Sequence, residues 1–248
     1  MLNHEIEGNG PPLLLIHGFG VSFHIWQELR PCLRDYFTLI MVELPGIGRS
    51  PFPHRKQDYL DVAADEIEEL REALQIESWR VLSYSSGTRV AERYLKKHAE
   101  HVERALFLCP LQARFWPALN LRIVLWLDRR YSPFGDWIVS GFRLRYLIHL
   151  LGFNFKKHPL EGDWFDEMVS QPAWILKETM HSLPKAGTQP FSIPELPALF
   201  IWGREDLISG APRATAHDVF IHANHSAPQT AAQEVLNAAL PFLFDERG

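Results

Sequence analysis

Short runs of mostly apolar residues recur along this chain, and stretches with apolar residues three or four positions apart lie between them. The runs occupy residues 13–16, 38–42, 79–82, 105–109, 198–202 and 218–221. The helical spacing is clear at Leu60, Ala63, Ile67, Leu70 and Leu74. Runs this short, bounded by turn-forming residues, indicate buried strands, and the wider spacing indicates helices packed on them by one face. Their alternation predicts an α/β fold with a doubly wound, mostly parallel sheet.

The pattern changes between residues 111 and 193. Strand signals vanish there, and amphipathic helical stretches broken by proline and glycine take over. We therefore expect a core formed by residues 1–110 and 194–248, and a helical insertion formed by residues 111–193. The Thr-x-x-Gln pattern at Thr230 and Gln233 has the form of a capping box and predicts the start of the last core helix.

Residues 83–87, Ser-Tyr-Ser-Ser-Gly, lie between a predicted strand and a predicted helix. A turn this tight needs small residues two positions before and after its apex, because the strand and helix backbones crowd there. Only Ser85 meets this requirement, with Ser83 before it and Gly87 after it. A hydroxyl at the apex lies at the helix N-terminus, where the amides favour negative charge, so Ser85 is the candidate nucleophile. Taken alone, the string also fits a serine that only caps the helix.

Other segments supply the partners that a serine nucleophile needs, namely a base and an acid that orients the base. Asp206 and His225 each follow a predicted strand, as Ser85 does. Catalytic groups of open α/β sheets gather at this carboxyl edge of the strands. Residues 13–20 form an apolar run that ends in a glycine-containing turn, where small residues let backbone amides face a ligand.

Together these motifs resemble those of the α/β-hydrolase superfamily, in particular its members with a helical cap. The resemblance covers about residues 9–110 and 194–245. His-Gly-Phe-Gly at residues 17–20 matches the oxyanion loop of the family. Glu-Leu-Pro-Gly-Ile-Gly-Arg-Ser at residues 43–50 matches its Asp-x-Pro-Gly-x-Gly-x-Ser loop.

The resemblance implies a role for each candidate residue. The implied catalytic triad consists of Ser85, Asp206 and His225. The implied oxyanion donors are the backbone amides of Phe19 and Ser86. Residues 111–193 correspond to the cap, whose many aromatic side chains are expected mostly to hold it together and otherwise to line an apolar substrate pocket. The candidates for that pocket are Phe115, Trp126, Trp137 and Phe142.

The chain departs from the family pattern at three positions. Ser83 replaces the usual glycine of the elbow, Glu43 the usual aspartate of the second loop, and Asn224 the glycine before the histidine. Ser83 is small enough to fit, and Glu43 stands at a structural position. Asparagine tolerates the left-handed conformation that we expect at residue 224. A serine rather than an aspartate nucleophile argues against the dehalogenase and epoxide-hydrolase branches.

Several residues compete for the same roles. In some family members the acid follows the strand after the elbow helix, but no acidic residue lies between Pro110 and Leu127. Glu205, next to the candidate acid, is expected to be a solvated loop residue. His222 is a rival base, but a histidine at the end of a strand more often packs or faces solvent. His17 is expected to be structural, hydrogen-bonded beneath the loop that it opens.

The composition of the chain bears on its size class, its partners and its cellular compartment. A chain of 248 residues, 46% of them hydrophobic, is long enough for one compact core, and a net charge of −5 gives no general case for a nucleic-acid partner. The two cysteines, Cys32 and Cys109, have apolar neighbours and suit buried free thiols in a reducing compartment. We find no signal-peptide pattern, no transmembrane stretch and no metal-ligand or phosphate-loop spacing. We therefore expect a cytoplasmic protein that uses no metal and no cofactor.

The segment from Arg114 to Lys157 is locally basic. It holds eight lysine or arginine residues against Asp128 and Asp136. Such charges usually form a solvated helix face. The functional alternative is attraction to an anionic substrate, an acyl carrier or a membrane surface.

The sequence as a whole predicts a serine hydrolase whose small-molecule substrate is a carboxylic ester with a hydrophobic acyl portion. The same groups are able to cleave a thioester, a lactone or a carbon–carbon bond beside a ketone. Two other classes stay open: a receptor-like binding protein with slow turnover, and a protein that docks on a membrane or partner through the basic segment. The complete set of catalytic groups favours an enzyme over both.

Overall fold

The computed structural model describes residues 1–53, 57–112, 126, 159–187, 189–209 and 217–244. The strands of this part are β1 (His4–Glu7), β2 (Pro12–Ile16), β3 (Thr38–Val42), β4 (Trp79–Tyr84), β5 (Val102–Leu108), β6 (Ala198–Gly203) and β7 (Asp218–Ile221). They form one sheet in the order β1-β3-β2-β4-β5-β6-β7. Only the β1–β3 pair is antiparallel among the described strands. The predicted mostly parallel sheet is confirmed.

Helices connect these strands. They are α1 (Arg30–Leu33), α2 (Tyr59–Ala73), α3 (Gly87–His98), α4 (Pro159–Ser170), α5 (Ala173–Gly187), α6 (Ala227–Thr230) and α7 (Ala232–Phe244), with 3₁₀ turns at Phe23–Trp26 and Ala99–His101. Among the described residues, no helix combines the length and the apolar character that a membrane span requires.

The sheet buries apolar side chains on both faces. Successive residues of β2 point to opposite sides, because side chains of a strand alternate. Leu13 and Leu15 belong to a buried cluster with Trp26 of the first 3₁₀ turn and with residues of α1 and α7. Leu14 and Ile16 belong to a second cluster with residues of α2 and α3. This two-sided core is the predicted doubly wound architecture.

Helices α4 and α5 come from the predicted insertion and pack on two glycine-containing loops of the core. Gly20 has φ +68°, and a Cβ atom there would lie 2.6 Å from Met168 Cγ of α4. Gly46 has φ +77°, and a Cβ atom there would lie 2.7 Å from Ile175 Cδ1 of α5. The absent side chains therefore let both helices contact the loop backbone directly.

Most of the predicted cap lies outside the described residues. This holds for Phe115, Trp137 and Phe142, and for most of the basic segment from residue 114 to 157. The division into a core and a cap at residues 111 and 193 therefore stays a prediction. Trp126 is described, and its side chain is 65% exposed.

Candidate active site

The turn between β4 and α3 places Ser85 at its apex. Ser85 has φ +53°, a left-handed conformation that is strained for a residue with a side chain. Its amide donates to the carbonyl of Leu108 (3.0 Å), which holds the turn against the end of β5. A Cβ atom at Gly87 would lie 2.2 Å from the carbonyl oxygen of His17, so only glycine fits there. Ser83 is buried, and its hydroxyl donates to the Leu106 carbonyl (3.1 Å).

The structure brings the three candidate catalytic side chains into one hydrogen-bonded chain. Ser85 Oγ lies 2.7 Å from His225 Nε2, and His225 Nδ1 lies 2.8 Å from Asp206 Oδ2. All three residues are buried. An ionised carboxylate only accepts hydrogen bonds, so Nδ1 carries the proton and Nε2 is left to accept from the Ser85 hydroxyl.

Asp206 is held in its ionised form. Burial acts to raise the pKa of its carboxyl group, but the charge and hydrogen bond of His225 and two backbone amides outweigh it and lower the pKa below the usual value. Those amides belong to Ile208 and Ser209, which donate to Oδ1 at 2.8 and 2.9 Å. Glu205, the neighbouring carboxylate, is exposed, as predicted.

The loop that carries His225 is fixed by hydrogen bonds on both sides. The Tyr84 hydroxyl donates to the carbonyl oxygen of His225 at 2.8 Å. Asn224 Oδ1 accepts the amide of Ser226 at 2.9 Å, a turn formed by the side chain. The predicted left-handed conformation of Asn224 is wrong, because this residue is not among the positive-φ residues of the chain. Its side chain, and not backbone freedom, stabilises the turn.

The loop at residues 17–20 approaches Ser85 from the neighbouring strand. A Cβ atom at Gly18 would lie 3.1 Å from Ser85 Cβ. His17 Nε2 accepts the Leu44 amide, so its Nδ1 carries the proton and donates to the Gly18 carbonyl, each at 2.8 Å. Burial lowers the pKa of His17 to about 4, and the side chain is therefore neutral. The predicted structural role of His17 is confirmed.

Phe19 and Ser86, the candidate oxyanion donors, line one cavity. In the described part of the chain, neither backbone amide donates to a protein acceptor. The cavity volume is about 10 Å³, room for about one water molecule, and its walls are largely apolar. Leu60 and Val90 of the core and Thr179 and Leu183 of α5 also line it.

Thr179 and Leu183, which line this cavity, are not among the pocket residues predicted from the sequence, which are all aromatic. Leu183 is buried although α5 lies in the insertion, and its helical spacing with Leu176 and Thr179 was the available signal. Trp126, one of the aromatic candidates, is not among the described wall residues.

Cys109 lies beside the acid and base. Ligand atoms of Cys109, Asp206 and His225 fall within 4.8 Å of one another. Burial, reinforced by the nearby Asp206 carboxylate, raises the pKa of the Cys109 thiol well above its usual value. A protonated thiol is a poor metal ligand, and the other two groups bind each other, so this set does not fit a metal ion. The other cysteine, Cys32, is half-buried and free.

Comparisons with known proteins agree with this architecture. A family model described as the alpha/beta hydrolase fold matches residues 11–245. The pimeloyl-[acyl-carrier protein] methyl ester esterase of Aeromonas hydrophila is 27% identical over 222 residues, which cover 85% of this chain and 82% of that protein. The fluoroacetate dehalogenase of a Burkholderia species is 30% identical over 106 residues, 41% of this chain, and the match spans only 34% of that protein.

A solved structure shares the same fold. The thermophilic esterase of Thermogutta terrifontis superposes with a TM-score of 0.76 at 23% identity, covering 98% of this chain and 92% of the esterase. The sheet order, the strand-to-helix turn and the family match over nearly the whole length lead to one assignment. This chain belongs to the α/β hydrolase family.

Proposed function

We propose that this protein is a serine hydrolase that cleaves carboxylic esters through an acyl-enzyme on Ser85. The observation that carries the proposal is the hydrogen-bonded chain from Ser85 Oγ through His225 to Asp206, with distances of 2.7 and 2.8 Å. A serine hydroxyl bonded to an imidazole whose other nitrogen donates to a buried carboxylate is the arrangement that activates serine as a nucleophile.

The first half of the reaction forms the acyl-enzyme. Ser85 Oγ attacks the ester carbonyl carbon while His225 Nε2 accepts the hydroxyl proton. Asp206 keeps His225 in the required tautomer and stabilises its cation. The amides of Phe19 and Ser86 donate to the oxyanion of the tetrahedral intermediate. His225 then gives its proton to the departing alkoxide, which leaves as an alcohol.

Water completes the cycle. His225 accepts a proton from water as its oxygen attacks the acyl carbon, and the second tetrahedral intermediate collapses with release of the carboxylic acid. Ser85 Oγ regains a proton from His225. No other group needs to take part, because every proton that leaves one oxygen returns to another through the same imidazole.

The apolar walls beside the candidate oxyanion donors support an acyl group with a hydrophobic portion. Leu60, Val90 and Leu183 line the same cavity as Phe19 and Ser86. An ester whose carbonyl oxygen faces the two amides would direct its acyl chain towards these walls, which must move apart to admit it, because the cavity volume is only about 10 Å³. The similarity to a methyl ester esterase over most of both chains favours an ester over a thioester, a lactone or a carbon–carbon bond.

The decisive experiment is covalent labelling with a fluorophosphonate probe followed by peptide mapping. We expect one adduct per chain, on Ser85, and its loss in Ser85→Ala. Ser83→Ala is the matched control, because it removes the neighbouring hydroxyl of the same turn and should still label. If the native protein stays unlabelled under conditions in which another serine esterase labels fully, the proposal fails and a binding protein with the same fold is the better interpretation.

A further inference from the structure

A carboxylate on helix α4 reaches across to the loop that follows the candidate oxyanion donor Phe19. Glu167 Oε2 accepts the backbone amide of Ser22 at 3.3 Å, and Glu167 Oε1 accepts the Ser22 hydroxyl. His24 Nδ1 lies 3.1 Å from Oε1. Ser22 is buried, and the Glu167 side chain is 22% exposed. Three donors from the core loop thus converge on one carboxylate of the insertion.

The loop is held at both ends. At its beginning, His17 bonds the Gly18 carbonyl and the Leu44 amide. At its end, Ser22 is bonded to Glu167. Between these anchors, α4 covers the backbone at Gly20, where a Cβ atom would lie 2.6 Å from Met168 Cγ. The Phe19 N–H shares a peptide unit with the Gly18 carbonyl, so His17 holds one side of this unit, and the bond between Ser22 and Glu167 holds the chain three residues further on.

We propose that Glu167 is a positioning residue for the oxyanion hole, and this inference rests on the proposed function. By bonding the amide and hydroxyl of Ser22, Glu167 fixes the loop that carries the Phe19 amide. When α4 is packed on the loop, the Phe19 amide therefore points towards the position of the oxyanion. Glu167 does not touch the substrate in this scheme and acts only through the loop.

A carboxylate suits this position because it offers only acceptors. Ser22 presents both an N–H and an O–H, and the ring of His24 adds a third donor. A glutamine has nearly the same shape as glutamate, but its NH₂ group can only donate. In Glu167→Gln, Oε1 can still accept the Ser22 amide, and the NH₂ group can donate to the Ser22 hydroxyl oxygen, since a hydroxyl both donates and accepts. Glu167→Gln is therefore the conservative variant, and Glu167→Ala is the one that removes the contacts.

Gln171 supplies a matched control. It lies one helical turn further along the same segment, and its Oε1 accepts the Gly48 amide at 3.0 Å. It therefore fastens the same part of the insertion to a different core loop. That loop carries neither of the proposed oxyanion donors. Gln171→Ala should weaken the docking of the insertion without reorienting Phe19.

The experiment compares Glu167→Ala, Glu167→Gln and Gln171→Ala in steady-state hydrolysis of p-nitrophenyl butyrate. An oxyanion donor acts in the transition state, and loss of one typically costs about 10²–10³ in kcat. Since the Phe19 amide is turned away and not removed, we expect kcat to fall about 10–100-fold in Glu167→Ala, with KM changed less than about twofold. Glu167→Gln should recover most of the native kcat, because it keeps both bonds to Ser22. Gln171→Ala should keep kcat within about twofold.

A second measurement separates positioning from stability alone. A trifluoromethyl ketone that adds to Ser85 mimics the tetrahedral intermediate, so its inhibition constant should rise by the same factor by which kcat falls. The Ser22 hydroxyl also accepts the His24 amide at 3.3 Å and so caps the 3₁₀ turn that follows. Adding Ser22→Ala to Glu167→Ala should therefore lower the thermal stability further but cause little further loss of kcat. If Glu167→Ala loses thermal stability or raises KM while kcat and the inhibition constant are unchanged, the inference is wrong.

Failure of this inference can be told from failure of the proposed function. If the native protein shows ester turnover that Ser85→Ala abolishes, and Glu167→Ala turns over at the native rate, only the positioning role is overturned. If the native protein shows neither turnover nor a Ser85 adduct, both proposals fall. Glu167→Met, which keeps the length of the side chain but offers no carboxylate, carries the test if Glu167→Ala does not fold.

Discussion

At the scale of single residues, Asp206 depends on two different sets of donors. One carboxylate oxygen accepts from His225, and the other accepts the amides of Ile208 and Ser209. The backbone donors fix the side chain whether or not it is charged, whereas the contact with His225 requires an acceptor. Orientation of the acid and control of the imidazole tautomer are therefore separable by a substitution that keeps the shape.

Asp206→Asn makes this separation. The asparagine oxygen still accepts the two amides, but its NH₂ group faces His225 Nδ1 and stabilises the tautomer that cannot take a proton from Ser85. We expect kcat for a p-nitrophenyl ester to fall about 10³–10⁴-fold with the circular dichroism spectrum unchanged. A variant that keeps most of its activity would show that another residue serves as the acid.

Tyr84 makes a second residue-level contribution, because its hydroxyl donates to the carbonyl oxygen of His225. Tyr84→Phe removes this bond and leaves the ring in place. We expect the free energy of unfolding to fall by about 1 kcal/mol. We also expect kcat to fall, because the backbone of His225 is then held less firmly. Tyr94→Phe is the control, because its hydroxyl bonds Glu68 at 2.8 Å and Tyr94 takes no part in the catalytic chain. An equal effect of both variants on kcat would contradict the role of Tyr84.

At the scale of elements, α3 links the proposed nucleophile to residues near both ends of the predicted insertion. Arg89, fully buried one turn after Ser85, donates from Nε to the Leu111 carbonyl at 2.9 Å and from a terminal nitrogen to the Gln189 carbonyl at 2.7 Å. Its other terminal nitrogen bonds Glu92 at 2.7 Å. One guanidinium group is thus bonded to residues near the predicted start and end of the insertion.

Arg89→Met should therefore be strongly destabilising. It leaves two carbonyls without their donor and removes a buried partner of Glu92, and breaking a buried ion pair typically costs about 3–5 kcal/mol. Urea unfolding measures the loss, and limited proteolysis should show faster cleavage near residues 111 and 189. Lys96→Met is the control, because Lys96 bonds the same Glu92 from a partly exposed position and should cost about 0–1 kcal/mol. Similar losses in both variants would contradict the special role of Arg89.

The boundaries of strands and helices could be predicted where the local sequence pattern determines them. They could not be predicted where groups outside that pattern form hydrogen bonds with its side chains. The six apolar runs all became strands, since their burial leaves few alternatives. The capping box at Thr230 was wrong, because α7 begins at Ala232 and the Thr230 hydroxyl lies 3.2 Å from Asn224 Oδ1 and from the Ser226 carbonyl. Nothing in the local sequence indicates that acceptors of the preceding turn take this hydroxyl.

At the scale of the whole molecule, the parallel sheet explains why the candidate catalytic residues could be found from sequence. Ser85, Asp206 and His225 follow three different strands, and parallel strands bring their carboxyl ends to one edge. The contact between Glu167 and Ser22 could not be found in this way. These residues lie 145 positions apart, and their pairing depends on how α4 docks on the core.

The pH dependence of stability offers a test of the whole fold through His17. Burial lowers the pKa of its imidazole to about 4 in the folded protein, whereas histidine in an unfolded chain titrates near 6.5. Between pH 4 and pH 6.5, the His17 imidazole is therefore protonated in the unfolded state and neutral in the folded state. The stabilising effect of the neutral ring is therefore complete above about pH 6.5 and is lost as the pH falls towards 4.

We expect this residue to contribute a slope of up to about 1.4 kcal/mol per pH unit to the free energy of unfolding between pH 4 and 6.5. His17→Gln keeps an acceptor for the Leu44 amide but cannot titrate in this range. Urea unfolding at pH 4.5, 5.5 and 7 should thus show a smaller acid loss in His17→Gln than in the native protein. Replacing the exposed His222 by glutamine is the control and should leave the native slope intact, since this side chain is not buried. Equal slopes in the native protein and His17→Gln would mean that His17 is protonated in the fold, and the hydrogen bond to Leu44 would then have to be abandoned.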